Sequence, residues 1–181
     1  MADDEILAVR ARKALYDFVR SNPGYHLREI ARATNLSITL ADYHLRFLEK
    51  HDLVTSTMDG EYKRFYPRYP VGDPGARPAL TGREKGILGF LRQRVPLLVM
   101  SYLMERESAL HREILEKVPV SASTLTHHLK KLVGAGIVAR DEDRGYRVAD
   151  GRETARLMVT YLLATPDQVD TFVRVWGEFR L

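Results

Sequence analysis

Two sets of polar and charged side chains recur along the chain at helical spacing. One is Ser123, Thr126, His127, Lys130 and Lys131; the other is Thr39, Asp42, Tyr43, Arg46 and Lys50. Steps of three and four residues place each set on one side of a helix. Short hydroxyl side chains near a helix start allow close approach to a surface, and cations one turn on can neutralise phosphates and release counterions. Each set is followed by a second cationic group: Lys63, Arg64 and Arg68 after the first, Arg140, Arg144 and Arg147 after the second. Residues of these types can contact a polyanion, and their spacing gives the shape of a surface rather than its partner.

The two sets belong to one repeated stretch. From Arg28 to Val54, the chain matches Arg112 to Val138 without a gap, at a constant offset of 84 positions. Eight positions are identical in the two copies: Arg28, Glu29, Ile30, Ser37, His44, Leu45, Leu48 and Val54. Such self-similarity points to two copies of one supersecondary unit.

The elements that must hold these residues follow from apolar spacing. Leu7, Ala11, Ala14, Leu15 and Phe18 give a helical stripe that Asn22-Pro23-Gly24 ends. A short helix over about Leu27–Ala33 follows, then Ser37 as an N-cap and a helix over about 38–51, with His44 at the edge of its apolar stripe. Leu53–Thr57 and Glu61–Tyr66 read as a hairpin around Asp59-Gly60. Pro70–Pro78 reads as a linker. Thr81 and Glu84 form a capping box at the start of a helix to about Arg94, and Pro96 suits the start of the next, Leu97–Glu107. The second copy predicts helices over Leu110–Lys117 and 122–133, then a hairpin around Asp143-Arg144-Gly145. Two further helices lie outside the repeat. One starts at Asp150-Gly151-Arg152-Glu153, and the last carries Val169, Phe172, Val173, Trp176 and Phe179. The expected domains are 1–69, a linker at 70–80, a second domain at 81–150, and C-terminal helices at 151–181.

Composition narrows the function classes. The chain has 181 residues and a net charge of +4, so bulk charge alone says little about a partner and its distribution decides. Without cysteine there is no disulfide, thiolate metal site or thiol nucleophile. His127 and His128 are adjacent, so they cannot form the i, i+4 pair of a zinc helix. No glycine-rich phosphate loop, paired carboxylates or nucleophile elbow is present. The reading is therefore no catalytic residue, no metal and no cofactor. The acidic Met1–Glu5 lacks the apolar core of a signal peptide, and the apolar runs near 97–104 and 157–164 are too short to span a bilayer. A cytoplasmic protein with no membrane partner is expected. His44 and His128 are expected to be packed structural residues, and most hairpin aromatics to pack on their own domain.

The strings HLREIARATNLSITLADYHLRFLEKHDLV and LHREILEKVPVSASTLTHHLKKLVGAGIV resemble the winged helix-turn-helix of prokaryotic, especially archaeal, transcription regulators of the ArsR/MarR-like type. The resemblance implies a mainly α fold with two tandem winged helix-turn-helix domains, small β-hairpin wings and C-terminal helices. It also implies that double-stranded DNA is the partner. A helix end would enter the major groove while each hairpin reaches the backbone or minor groove.

The copies differ in charge. Ser121 to Arg140 holds three cations and no acid, whereas Ser37 to Met58 holds two cations against three acids. The second unit is expected to supply more phosphate affinity. The last helix could cover its own chain or join two chains as a homodimer. A protein-interaction scaffold, as in a chromosome-organising complex, is the alternative function. The sequence does not name an operator or a small-molecule effector.

Overall fold

In the computed structural model, residues 9–60 and 62–162 are described. The expected last helix, with Phe172, Trp176 and Phe179, lies outside them. The chain divides into two compact units between Lys85 and Gly86.

In the first unit, helix α1 spans Arg10–Ser21, α2 Leu27–Ala33 and α3 Ile38–Lys50; strands β1, Val54–Asp59, and β2, Tyr62–Pro67, form an antiparallel hairpin. Each boundary has a local cause. Glu29 reaches back to accept the His26 N–H at 3.2 Å, which satisfies one of the free donors at the start of α2. The Ser37 hydroxyl does the same for Leu40 N–H at the start of α3. The chain leaves α3 through Asp52 in the left-handed region (φ 56°). Asp59 faces Tyr62 across the hairpin, and Gly60 takes φ 60° as such a tight reversal requires.

Leu15, Tyr16, Val19, Ile30, Ala41, Leu45, Leu48, Leu53, Val54 and Phe65 build the core of this unit. Each large apolar side chain so buried stabilises the fold by about 1.5–3 kcal/mol before entropy is subtracted. The stretch after β2 is not free chain: Tyr16 donates to the Arg68 carbonyl at 3.1 Å, and Arg20 pairs with Asp73 at 3.0 Å. The start of the expected linker is thus fastened to α1.

Helix α4, Gly82–Leu91, crosses the division between the units. Its capping box forms as read: Thr81 N–H donates to Glu84 at 2.7 Å, and Glu84 N–H to the Thr81 hydroxyl at 3.2 Å.

The second unit contains α5 Arg94–Arg106, α6 His111–Lys117, α7 Ala122–Gly134, β3 Val138–Asp141, β4 Gly145–Val148 and α8 Gly151–Tyr161. Helix α5 starts three residues before the expected Leu97, and Pro96 is its third residue. The first-turn N–H groups have no helical partner, so a proline is tolerated there. Ser121 caps α7 through Thr124 N–H, and Asp150 caps α8 through Glu153 N–H.

The repeat extends beyond the stretch that the identities mark. Helices α5, α6 and α7 begin at the positions of α1, α2 and α3 shifted by 84. The core follows: Val99, Met100, Leu103, Ile114, Leu125, Leu129, Leu132, Ile137 and Val138 are all buried at the positions of Leu15, Tyr16, Val19, Ile30, Ala41, Leu45, Leu48, Leu53 and Val54. Gly136 (φ 67°) takes the place of Asp52. Size and shape change within this set while apolar character does not, which is what a tolerant core requires.

The hairpins break the constant offset. Pro67 closes the register of the first opposite Val54, and Val148 that of the second opposite Val138, so the second is three residues shorter. Each hairpin also pairs with the residue two positions before the second helix of its unit. Phe65 N–H donates to the Tyr25 carbonyl at 3.0 Å, and Tyr146 and Ala109 exchange two bonds at 2.8 and 2.9 Å. Gly145 is required here: a Cβ on it would lie 2.4 Å from the Ala109 carbonyl oxygen.

Among the described residues no single helix is long and apolar enough to cross a membrane.

Candidate nucleic-acid interface

Helices α3 and α7 present the residues singled out by their spacing. On α7, Ser123, His127, Lys130 and Lys131 are exposed. The Ser123 hydroxyl lies 3.0 Å from that of Ser121 at the helix start. Thr126 differs from the expectation of an open contact. Its hydroxyl donates to the Ala122 carbonyl at 2.8 Å and lies 3.0 Å from His111 Nε2 on α6, so it ties two helices together.

The wing of the second unit is open. Arg140, Arg144 and Arg147 are exposed, with Arg140 reaching over the Tyr146 ring at 5.9 Å. The Asp141 carboxylate accepts the N–H groups of Arg144 and Asp143, each at 3.0 Å, and these bonds hold it below the usual carboxylate range. Asp141 is thereby used to shape the turn. Among the described residues no carboxylate forms an ion pair with Lys130, Lys131, Arg140, Arg144 or Arg147.

The first unit is the opposite case. Arg46 pairs with Asp42 at 2.8 Å, one turn earlier on α3. Lys63 on β2 pairs with Glu49 at 2.7 Å, and Arg68 with Asp52 at 2.9 Å. Burial alone would raise the Glu49 carboxyl, but bonds from Lys63 and the Ser56 hydroxyl hold it below its ordinary range. Lys50 is the exposed cation of α3 without such a pair among the described residues.

Arg64 corrects the sequence reading outright. It was expected on the wing as a phosphate contact, but it is 3% exposed. Its guanidinium donates to Asp59 at 2.6 Å and to the Gly24 carbonyl at 2.8 Å. It is a structural tie between the hairpin and the turn before α2. The hairpin aromatics divide: Phe65 and Tyr66 are buried, while Tyr62 stacks on His26 at 5.1 Å and stays half exposed.

Sequence reasoning named Tyr43 but missed the exposed apolar side chains of Ile38 and Leu40 near it. Ile38, Leu40 and Tyr43, on the first two turns of α3, are 50%, 41% and 59% exposed. The corresponding α7 positions hold Ala122, Thr124 and His127. A comparison of the two copies position by position would have found them.

His44 and His128 are inward, as expected. Burial and the neighbouring Arg12 lower the His44 pKa; burial, His127 and Lys131 lower that of His128. Arg12 donates to His44 Nδ1 at 3.4 Å, whereas the Nδ1 of His128 has no partner among the described residues. The position of Arg12 is Pro96 in the second unit, which removes the donor.

Family profiles agree with this architecture in both units. A family profile described as an N-terminal HTH domain matches residues 9–80, and that of bacterial regulatory proteins of the arsR family matches residues 97–140. An uncharacterized HTH-type transcriptional regulator of Methanocaldococcus jannaschii is 27% identical over 146 residues. That match covers 81% of this chain but only 34% of the relative. The crystal structure of the transcriptional regulator SlyA aligns over 73% of this chain and 78% of its own, with 18% identity and a TM-score of 0.34. One HTH family profile thus matches within each unit of the repeat, the second being that of the arsR family.

Proposed function

We propose that the chain regulates transcription by binding specific double-stranded DNA through both units, with α3 and α7 as recognition helices and the hairpins as wings. The observation that carries this reading is the open cationic set of the second unit. Lys130 and Lys131 on α7, with Arg140, Arg144 and Arg147 on the wing, are exposed and free of ion pairs among the described residues. Cations without internal partners lose little on moving to phosphates, and each phosphate neutralised releases counterions. Ser123 and His127 stand on the same helix, where short polar groups can meet base edges.

The first unit contributes Thr39, Tyr43 and Lys50, with Arg46 and Lys63 held by Asp42 and Glu49. Joining two readers in one chain raises the effective concentration of the second once the first is bound. No step of this function calls for a catalytic residue or cofactor.

Selection of bound duplexes from a random-sequence pool by the full chain tests the reading. Enrichment of a shared sequence supports it. Recovery of an unenriched pool at low salt would remove sequence specificity, and no recovery at all would remove DNA as the partner.

A further inference from the structure

The two recognition helices expose different chemistry at equivalent positions. On α7 the first two turns offer Ser123, Thr124 and His127; on α3 they offer Thr39, Leu40 and Tyr43, with Ile38 beside them. Three apolar side chains there are 41–59% exposed, and the Tyr43 ring is set edge-on against His44 at 5.1 Å. Leu40 and Tyr43 adjoin at i, i+3 on α3, with Ile38 exposed on another side of the same first turn, and exposed apolar side chains of this size are what a partner would cover. Arg46 is occupied by Asp42, so this part of α3 offers little free positive charge.

We propose that α3 reads thymine, by apolar contact of Ile38, Leu40 and Tyr43 with C5-methyl groups in the major groove. The inference rests on the DNA-binding reading above and deepens it. The early turns of a recognition helix are those that meet base edges, and the thymine methyl is the one apolar group displayed there. Continuity with the rest of the helix favours a duplex over a protein surface. Thr39 and Lys50 lie on the same side of α3, and the equivalent side of α7 carries Lys130. The units then divide the work: the second supplies charge-driven affinity, and the first adds base discrimination that does not depend on salt. Asp42, between Ile38 and Arg46, can accept from a cytosine amine and so favours a mixed site over a pure A·T tract.

The test uses the full chain and the duplex most enriched from a random pool, made with thymidine or with deoxyuridine, which lacks only the C5 methyl. Binding is expected to weaken about fourfold per buried methyl. The variant I38A/L40T/Y43H carries the residues that the second unit has at these positions, so the fold is known to accept them. It is expected to bind the thymidine duplex more weakly and to lose nothing further with deoxyuridine. Three outcomes overturn the inference while leaving DNA binding intact: no shared thymine in the selected duplexes, equal binding of the two duplexes by the wild-type chain, or an unchanged preference in the variant. The last would assign the reading of thymine to residues other than Ile38, Leu40 and Tyr43. Failure to select any duplex would instead overturn the proposed function itself.

Discussion

Arg46 and Asp42 lie 2.8 Å apart on adjacent turns of α3, and the position of Asp42 is Thr126 in the second unit. One acid therefore neutralises the exposed arginine of α3. An exposed pair of this kind contributes only about 0.3–0.5 kcal/mol to folding, so removing it is cheap. Asp42→Thr is expected to free Arg46 for a phosphate. The slope of log K against log salt should steepen by about 0.9 without loss of stability. An unchanged slope would mean that Arg46 does not face DNA.

Arg64 is expected to matter for folding and not for DNA. Arg64→Met removes the donors to Asp59 and to the Gly24 carbonyl in a buried place and should cost about 2–3 kcal/mol in urea denaturation. The salt slope of binding should stay as in the wild type. A shallower slope with unchanged stability would restore Arg64 to the interface.

Gly145 and Gly60 both have positive φ, but only Gly145 is also hemmed in by backbone, at Ala109. Gly60→Ala should cost about 1 kcal/mol from conformation alone. Gly145→Ala must also part the wing from the strand-like residue before α6, so a loss above about 2 kcal/mol is expected. Equal losses would show that the close approach is not maintained.

His44, which is buried, and His128, which is half-buried, set a pH dependence. Both have pKa values below the ordinary 6.5 in the folded chain, so protons favour the unfolded state. Their stabilising effect is complete above pH 6.5 and is lost as pH falls below it, toward the lowered folded values. Urea midpoints should fall between about pH 7.5 and about pH 5.5, and less steeply in H44Q/H128Q. The same fall in the double variant would assign the effect to other groups.

Most of the scaffold was legible because a repeat reports twice. Identities at Glu29, Ser37, Leu45 and Leu48 mark the helix starts and the core, and each has a local physical cause that spacing reveals. The hairpins were less legible. Strict alternation would put Tyr62, Arg64 and Tyr66 on one face, yet Arg64, Phe65 and Tyr66 are all buried and Tyr62 is not. The free edge of β2 pairs at Phe65 with the segment before α2, and no period within β2 encodes that partner. The Asp42–Arg46 spacing was readable as an ion pair. Glu49–Lys63 and Asp52–Arg68 join residues 14 and 16 positions apart, which only the fold brings together. The open charge of the second unit became visible once those pairs were known.

The central claim, that the open cations of the second unit hold a DNA duplex, is tested most directly by the charge reversal K130E/K131E beside R46E/K50E, with binding to the selected duplex followed across salt. The first pair should lose more affinity and lower the salt slope by about 1.8, and the second pair by less. Equal losses, or binding by K130E/K131E as tight and as salt-dependent as that of the wild type, would contradict it.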